Sequence, residues 1–308
     1  MTIQQLEYIV AVDEYRHFVR AAESCGVSQS TLSTLIKKLE EELDTVIFDR
    51  ESHPIVPTDA GSRIISQARV ALYNLRQLKE MTDSERIVSG GDVKIAVIPT
   101  VAPYIVPKLF GMLKEYSPSI RPFIFELQTP EILIKLSRAE IDMAIMATPL
   151  EKPNILEIPL YYEKLVAYVS EKEPVYRQNE IPCHELPTEN LWLLKEGHCL
   201  RNQVLNLCEI KSGLKASFES GSIGTLVKIV DENGGCTVIP ELHTDLLDEQ
   251  EKLRVRPLVN PSPVREISLV IRNDYVRERI LNEVASAVRK IIPDHMIDSG
   301  LKKFAIRL

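Results

Sequence analysis

The sequence lacks any apolar run long enough to cross a bilayer. Its longest apolar stretches, such as Ile95 to Pro99, fall far short of the roughly 18 residues that a transmembrane helix needs. The first residues, MTIQQLEYIVAVDEY, also lack the basic start and apolar centre of a signal peptide. We therefore expect a cytoplasmic protein with no membrane partner.

Cysteine and positive charge are also scarce. Five cysteines scattered over 308 residues are too few for a structural disulfide framework, so any disulfide in a reducing cytoplasm is expected to be transient or sensory. A formal net charge of −7 argues against a protein that coats nucleic acid without regard to sequence. Hydrophobic residues make up 44% of the chain, which is enough for the cores of two or three domains.

Two short helical patterns joined by a tight turn stand near the N-terminus. A helix is predicted around Phe18 to Ser24, followed by a turn at Gly26 and a second helix with Ser28 as its N-cap. This order is typical of a helix-turn-helix motif. The polar side chains at the start and on the outward face of the second helix suit a DNA major groove. They are Ser28, Gln29, Ser30, Ser33, Thr34 and Lys37.

The segment after this helix, VIFDRESHPIVPTDAG, predicts two short strands around a polar tip. On such a wing, Arg50 and His53 could reach the DNA backbone or the minor groove. Residues 1–58 carry five basic and ten acidic side chains, but no acidic one lies between Ser28 and Leu39, so the groove-facing turns can still meet phosphates. The alternative is that this unit is only a packing or dimer module and Arg50 a solvated surface charge.

A long amphipathic helix is predicted from Thr58 to about Arg86, with apolar residues along one side. The usual partner of such a stripe is a second copy of the same helix. This predicts a symmetric dimer and a DNA site with matching two-fold symmetry. The polar stretch TDSERIVSGGD that follows predicts a hinge.

Beyond residue 91, short apolar runs alternate with amphipathic helices, which predicts a mainly parallel α/β sheet. The predicted domains are a winged helix-turn-helix over residues 1–58, a linker and dimerisation helix over 59–88, and a two-lobed regulatory domain over 89–308. Lobe I would comprise 89–161 and 266–308, and lobe II 162–265.

Ligands of such folds bind in the cleft at the carboxyl ends of the strands. Thr100 and Thr129 each follow a strand, so their hydroxyls could face that cleft. For Thr129, which precedes Pro130, the residue chemistry alone favours a helix N-cap with proline at the first helical position.

The segment LLKEGHCLRNQVLNLCE, residues 193–209, holds two of the cysteines in a predicted helix. If residues 200–208 are helical, Cys208 falls on the apolar stripe and Cys199 lies at or just before the helix N-terminus. At about 1.5 Å per residue their Cα atoms stand about 13 Å apart, whereas a disulfide needs roughly 5.5 Å. The thiols can bridge only if the helix melts, and this coupling of bond formation to refolding suits a redox switch.

Cys199 has the more reactive setting of the two. A thiol near a helix N-terminus, with His198 and Arg201 beside it, is expected to favour its thiolate, the form that a peroxide oxidises to sulfenic acid. Zinc binding is a weaker alternative, because one His-Cys pair and a distant cysteine lack the clustering of structural zinc sites. From this segment alone, two core cysteines without any function remain a further alternative.

The whole chain resembles the LysR-type transcriptional regulators, which share its order of winged helix-turn-helix, linker helix and two-lobed sensor domain. The N-terminal resemblance lies in AAESCGVSQSTLSTLIKKLEEEL, FDR and PTDAG, and LLKEGHCLRNQVLNLCE resembles the redox segment of the peroxide-sensing OxyR subfamily. The resemblance implies a hydrogen peroxide-responsive activator of transcription rather than an enzyme. It also implies a homodimer or homotetramer that binds double-stranded DNA and acts on RNA polymerase, without a cofactor or metal.

The resemblance assigns roles to individual residues as well. It implies that peroxide oxidises Cys199 and that Cys208 then resolves the product to a disulfide. The positions that match the subfamily's peroxide pocket are Thr100, Thr129, His198, Gln203 and Arg265. Cys25, Cys183 and Cys236 match no functional position and are expected to be structural.

Three positions depart from the pattern of the family. Asn202 stands where the subfamily has an aspartate, Leu35 where the recognition helix often has glutamine, and His53 where the wing often has a basic residue. Two other hypotheses stay open: a LysR-type regulator that responds to a small organic effector in the cleft, and a thiol peroxidase with an appended DNA-binding domain.

Overall fold

A computed structural model of the protein describes residues 1–83, 91–208 and 219–297. The chain divides into two compact units, Met1–Val88 with Ser137–Glu140, and Ser89–Leu136 with Ile141–Leu308. The hinge predicted over TDSERIVSGGD lies mostly outside the described residues. None of the helices in the described part is long and apolar enough to span a membrane.

The N-terminal unit is a winged helix-turn-helix followed by a long helix. Its elements are α1 (Ile3–Tyr15), α2 (Phe18–Ser24), α3 (Gln29–Glu42), β1 (Phe48–Asp49), β2 (Val56–Pro57) and α4 (Asp59–Asp83). The Ser28 hydroxyl caps α3 by accepting a hydrogen bond of 3.1 Å from Thr31 N. Leu32, Ile36 and Leu39 are fully buried, so the polar face of α3 is directed away from the core.

The C-terminal unit alternates strands and helices. Its elements are β3 (Gly91–Val97), α5 (Ala102–Tyr116), β4 (Ile120–Glu126), α6 (Thr129–Ser137), β5 (Met143–Thr148), β6 (Ile155–Val169), β7 (Ile181–Pro182), β8 (Leu193–Leu194), α7 (Cys199–Leu207), β9 (Glu219–Ser220), α8 (Ile223–Asn233), β10 (Cys236–Pro240), α9 (Glu249–Lys252), β11 (Val255–Val259), β12 (Val264–Arg272) and α10 (Glu278–Ile291).

The main sheet is mixed, so the prediction of a mainly parallel sheet is wrong for half of it. Eight strands lie in the order β4-β3-β5-β12-β6-β11-β7, with β10 also paired to β6. The pairs β3–β4 and β3–β5 are parallel, but β12 and β6 run antiparallel to each other, and β5, β10 and β11 pair antiparallel with them. The connection from Thr148 to Ile155 carries no helix and is too short for a parallel crossover.

Two long strands tie the sheet together. Residues 155–164 of β6 pair with β12, and together with β3, β4 and β5 they form the part here called lobe I. Residues 165–169 of β6 pair with β10 and β11 and form the sheet of the part here called lobe II. Where the halves meet, Glu163 of β6 lies opposite Arg265 of β12. Helix α7 packs on the lobe II core through Leu200 and Val204.

Candidate redox site

A cleft of about 490 Å³ opens at the N-terminus of α7. Three segments line it: the start of α6, the loop after β5, and the residues around Cys199. The lining residues are Thr129, Pro130, Leu133, Pro149, Leu150, Glu151, Lys152, Glu196, Gly197, His198, Cys199 and Asn202. Thr129, His198 and Cys199, predicted from the sequence, thus share one cleft, whereas Thr100, Gln203 and Arg265 are not among its lining residues.

The Cys199 thiol is almost fully buried at the first position of α7, with 6% of the residue exposed. Burial raises its pKa above the ordinary thiol value, although the nearby Arg265 charge and a hydrogen bond with Thr129 act in the opposite direction. The prediction that the resting thiolate is favoured is therefore wrong, because desolvation is the largest effect. Arg201, expected to assist, instead donates from Nη1 to Leu194 O at 2.7 Å.

Several side-chain polar atoms around this thiol are buried without ordinary partners. His198 Nδ1 and both amide atoms of Gln203 make no hydrogen bond to any described residue, and Thr129 Oγ1 has none apart from the Cys199 thiol. Gln203 is 0% exposed and lies one helical turn after Cys199, on the same side of α7. Buried polar atoms without partners are rare in native proteins, so this cluster indicates a place for a small polar ligand.

Thr129 is not the N-cap that residue chemistry alone favoured. Helix α6 begins at Thr129 itself, and its first turn is closed by the hydrogen bond from Ile132 N to Gln128 O, at 3.0 Å. Gln128 therefore occupies the capping position. The Thr129 hydroxyl is left free to face Cys199.

A buried hydrogen-bond network holds Arg265 near Cys199. Its Nη1 donates to Thr100 Oγ1 at 2.9 Å, and its Nε and Nη2 donate to Glu163 Oε1 at 2.8 and 2.5 Å. Tyr104 O–H completes the network, accepting from Arg265 Nη2 at 2.7 Å and donating to Glu163 Oε1 at 3.0 Å. The structure thus brings Thr100 and Arg265 together and places the Arg265 charge close enough to act on the thiol.

Sequence reasoning missed three residues of this region: Tyr104, Glu163 and Gln128. The sequence signal for Glu163 is an acidic residue within a long, mainly apolar strand, since a buried carboxylate needs a cation as its partner. In the structure its exposed fraction is 0%. Gln128 Nε2 lies 3.2 Å from His198 Nε2. No sequence signal connects the two, because they are 70 residues apart.

Cys208 has apolar surroundings. It is the C-cap of α7, half-buried against the lobe II core, and burial with a smaller effect of Cys183 raises its pKa to about 11. All five cysteines are free thiols. Helical rise over α7 keeps the Cα atoms of Cys199 and Cys208 about 13 Å apart. Within the described residues, no group of three or more His, Cys, Asp or Glu side chains could hold a metal ion.

The residues predicted to contact DNA lie on one side of α3 and on the wing. Gln29, Ser30, Thr34 and Lys37 are exposed, and Ser33 is half-buried. Arg50 lies 2.9 Å from Glu40 in an ion pair and 3.4 Å from Ser33 Oγ, so the guanidinium is next to the recognition helix but partly neutralised.

Comparison with known proteins assigns the chain to a family. The lysR family of bacterial regulatory helix-turn-helix proteins matches residues 3–62, and the LysR substrate binding domain matches residues 88–291. The hydrogen peroxide-inducible genes activator of Haemophilus influenzae is 38% identical, over 95% of this chain and 99% of that protein. The DNA-binding transcriptional dual regulator OxyR of Escherichia coli K12 is 34% identical, over 98% and 99%.

Solved structures agree with this assignment. The full-length OxyR C199D structure from Pseudomonas aeruginosa superposes with a TM-score of 0.81 at 32% identity, covering 94% of this chain and 95% of that one. Reduced OxyR from Porphyromonas gingivalis gives 0.63 at 35% identity, covering 70% and 99%. The chain belongs to the LysR family and, within it, to the OxyR group of hydrogen peroxide-inducible genes activators.

Proposed function

We propose that this chain is a hydrogen peroxide-responsive, DNA-binding regulator of transcription that is switched by a disulfide between Cys199 and Cys208. The observation that carries the proposal is a set of buried polar atoms around a buried thiol. His198 Nδ1 and the Gln203 amide have no partner among the described residues, and Thr129 Oγ1 has only the thiol itself. Hydrogen peroxide both donates and accepts hydrogen bonds, so it can satisfy hydroxyl, imidazole and amide groups at once.

The chemistry at Cys199 takes two steps. The thiolate sulfur attacks one peroxide oxygen: an S–O bond forms, the O–O bond breaks, and the departing hydroxide takes up the proton lost by the thiol to give water. Sulfur is oxidised by two electrons and peroxide is reduced. The Cys208 thiol then attacks the sulfenic sulfur, so that an S–S bond forms, the S–O bond breaks and a second water leaves.

Arg265, with Thr100 bound to it, favours the first step by stabilising the thiolate of Cys199. The guanidinium opposes the burial penalty on the thiolate, so a small fraction of reactive thiolate persists although the pKa is raised. Thr100 Oγ1 accepts from Arg265, which leaves its own O–H available as a donor.

The disulfide acts as a switch because α7 cannot hold it. Bringing two Cα atoms from about 13 Å to roughly 5.5 Å requires the helix to unwind. Leu200 and Val204 then leave their positions in the lobe II core, and the packing of the whole lobe changes. Because the reaction stops at one disulfide per chain, the protein is a sensor rather than a turnover enzyme.

The regulator would act in the cytoplasm as a homodimer or homotetramer. Its DNA contacts would come from Ser28, Gln29, Ser30, Ser33, Thr34 and Lys37 of the recognition helix and from Arg50 of the wing. Two copies joined through α4 would meet a DNA site of matching symmetry. Activation would further require contact with RNA polymerase.

Footprinting on a target promoter tests the proposal. We expect the reduced and the peroxide-treated protein to protect different lengths or phases of DNA, and the Cys199→Ser protein to keep the reduced pattern after peroxide. Identical footprints for both forms of the wild type would contradict the proposed switch.

A second candidate function is suggested by the size of the cleft. Its volume of about 490 Å³ lies in the range of small-molecule sites. Leu133, Pro149 and Leu150 give it apolar walls that suit a small organic effector. This alternative predicts that Cys199→Ser still responds to the inducer, which the same footprint decides.

A further inference from the structure

Gln128 and His198 meet where the starts of α6 and α7 approach each other. The two side-chain nitrogens, Gln128 Nε2 and His198 Nε2, are 3.2 Å apart. Gly197 makes the approach possible: its φ is +95°, and a Cβ at this position would lie 2.4 Å from Gln128 Oε1. Any other residue at 197 would push the amide away from the imidazole.

The orientation of the Gln128 amide in this contact determines which imidazole nitrogen carries the proton. The structure directs the amide nitrogen at the ring, and because an amide nitrogen can only donate, Gln128 Nε2–H requires a lone pair on His198 Nε2. Burial, with the Lys195 charge as a smaller cause, lowers the pKa of His198, so the ring is neutral at pH 7. A neutral ring that accepts at Nε2 carries its single proton on Nδ1, the buried atom without a partner among the described residues.

We propose that Gln128 is a positioning residue for peroxide sensing, which holds the His198 proton on Nδ1 and so presents an N–H donor beside Cys199. The inference rests on the proposed function, because the group that would receive this hydrogen bond is the peroxide. The departing oxygen gains negative charge as the O–O bond breaks, and a fixed N–H donor stabilises that charge. His198 keeps its proton throughout, since the proton of the thiol completes the departing water.

Nitrogen NMR of the reduced, histidine-labelled protein tests the tautomer directly. We expect the His198 signals, assigned by their loss in His198→Asn, to report a proton on Nδ1. Gln128→Glu replaces the donor by an acceptor of similar shape, so the proton should move to Nε2. Because Gln128 is only partly buried, its variants should fold. A wild-type His198 that carries its proton on Nε2 overturns the inference.

Kinetics test the consequence. The ratio of the rate constants of Cys199 with hydrogen peroxide and with iodoacetamide, measured at the same pH, cancels differences in thiolate fraction. We expect Gln128→Glu to lower this ratio about a hundredfold, as for loss of one preorganised donor. Gln128→Leu, which allows both tautomers, should lower it less.

Gln250→Glu is the matched control. It makes the same change of amide to carboxylate at an exposed residue of α9, which neither lines the cleft nor hydrogen-bonds to His198 among the described residues. Its ratio should stay close to that of the wild type, with the proton on Nδ1. Equal ratios in Gln128→Glu and Gln250→Glu overturn the role of Gln128 alone. A wild-type Cys199 that reacts with peroxide no faster than the other four thiols overturns the proposed function, and this inference with it.

Discussion

The two ends of α7 hold cysteines in opposite surroundings. At the N-terminal end, Cys199 faces a cleft, a buried cation and several polar atoms that lack partners. At the C-terminal end, Cys208 packs against the apolar core of lobe II, next to Cys183. Both pKa values are raised by burial, but only Cys199 has a positive charge nearby to oppose the rise.

This difference supports the proposed separation of reaction from resolution along one helix. Under that proposal, the polar end binds a small oxidant and reacts with it, while the apolar end keeps its thiol protonated and unreactive until the helix unwinds. The unpaired polar atoms at Cys199 destabilise the reduced protein, since a buried unsatisfied group costs about 1–3 kcal/mol. Such a cost is expected where a site is built for a ligand rather than for stability.

The largest effects should come from removing one of the two thiols, and they should differ between Cys199 and Cys208. Cys199→Ser should abolish disulfide formation and the change in DNA footprint, because no sulfenic acid can form. Cys208→Ser should still form a sulfenic acid at Cys199 but no intramolecular disulfide, which trapping with dimedone and mass spectrometry can record. A Cys208 sulfenic acid in the Cys199→Ser protein would remove the distinction between the two ends.

A smaller effect is expected from filling the polar end with an apolar side chain. Gln203→Leu removes two unpaired polar atoms, so we expect the reduced protein to gain about 1–2 kcal/mol of unfolding free energy. The same change should slow the reaction of Cys199 with peroxide at least tenfold. Urea denaturation measures the predicted gain in unfolding free energy, and stopped-flow kinetics measure the predicted loss of reaction rate. A variant that is less stable than the wild type would mean that Gln203 has a structural role.

The apolar end can be probed by its pH dependence. Burial raises the pKa of Cys208 to about 11, so the folded protein holds this proton more tightly than the unfolded chain does. The resulting stability is present below the ordinary thiol pKa and is lost as pH rises through the folded value, by up to about 2–3 kcal/mol. Cys208→Ala should therefore flatten the fall in unfolding free energy between pH 9 and 11, measured relative to Cys25→Ala. Parallel curves for the two variants would contradict a buried, protonated Cys208.

The smallest effect should come from the helix between the two thiols. The Asn206 side chain is exposed near the end of α7, and only its backbone carbonyl contacts a cysteine, accepting from the Cys208 N–H. Substitutions of this side chain therefore change helix stability and leave both thiols in place. Asn206→Gly should speed conversion of sulfenic acid to disulfide relative to Asn206→Ala, by about fivefold for a difference of about 1 kcal/mol. Rapid-quench mass spectrometry separates this step from the oxidation of Cys199. Equal rates would show that α7 does not unwind before the disulfide forms.

Periodic patterns made most of the fold predictable. The span of α2, the Ser28 cap of α3 and the separation of Cys199 from Cys208 follow from helical spacing and capping chemistry, which act over a few residues. The directions of the strands could not be predicted from such patterns. The predicted alternation of strands and helices does not apply to β6 and β12, because each of them follows another strand with no helix between.

The site was predictable only in part, for the same reason. Cys199 and His198 are neighbours in the chain, and the resemblance to known regulators brought in Thr129 and Gln203. The Glu163 partner of Arg265 and the Gln128 partner of His198 depend on pairings over 102 and 70 residues. The raised pKa of Cys199 depends on desolvation by the whole fold, which outweighs the local helix terminus.

Mass spectrometry under denaturing alkylation, after a stoichiometric pulse of hydrogen peroxide, tests the central claim most directly. We predict a Cys199–Cys208 disulfide that forms while Cys25, Cys183 and Cys236 remain open to alkylation. The contradictory result is a protein in which both thiols stay reduced, or in which they oxidise no faster than the other three.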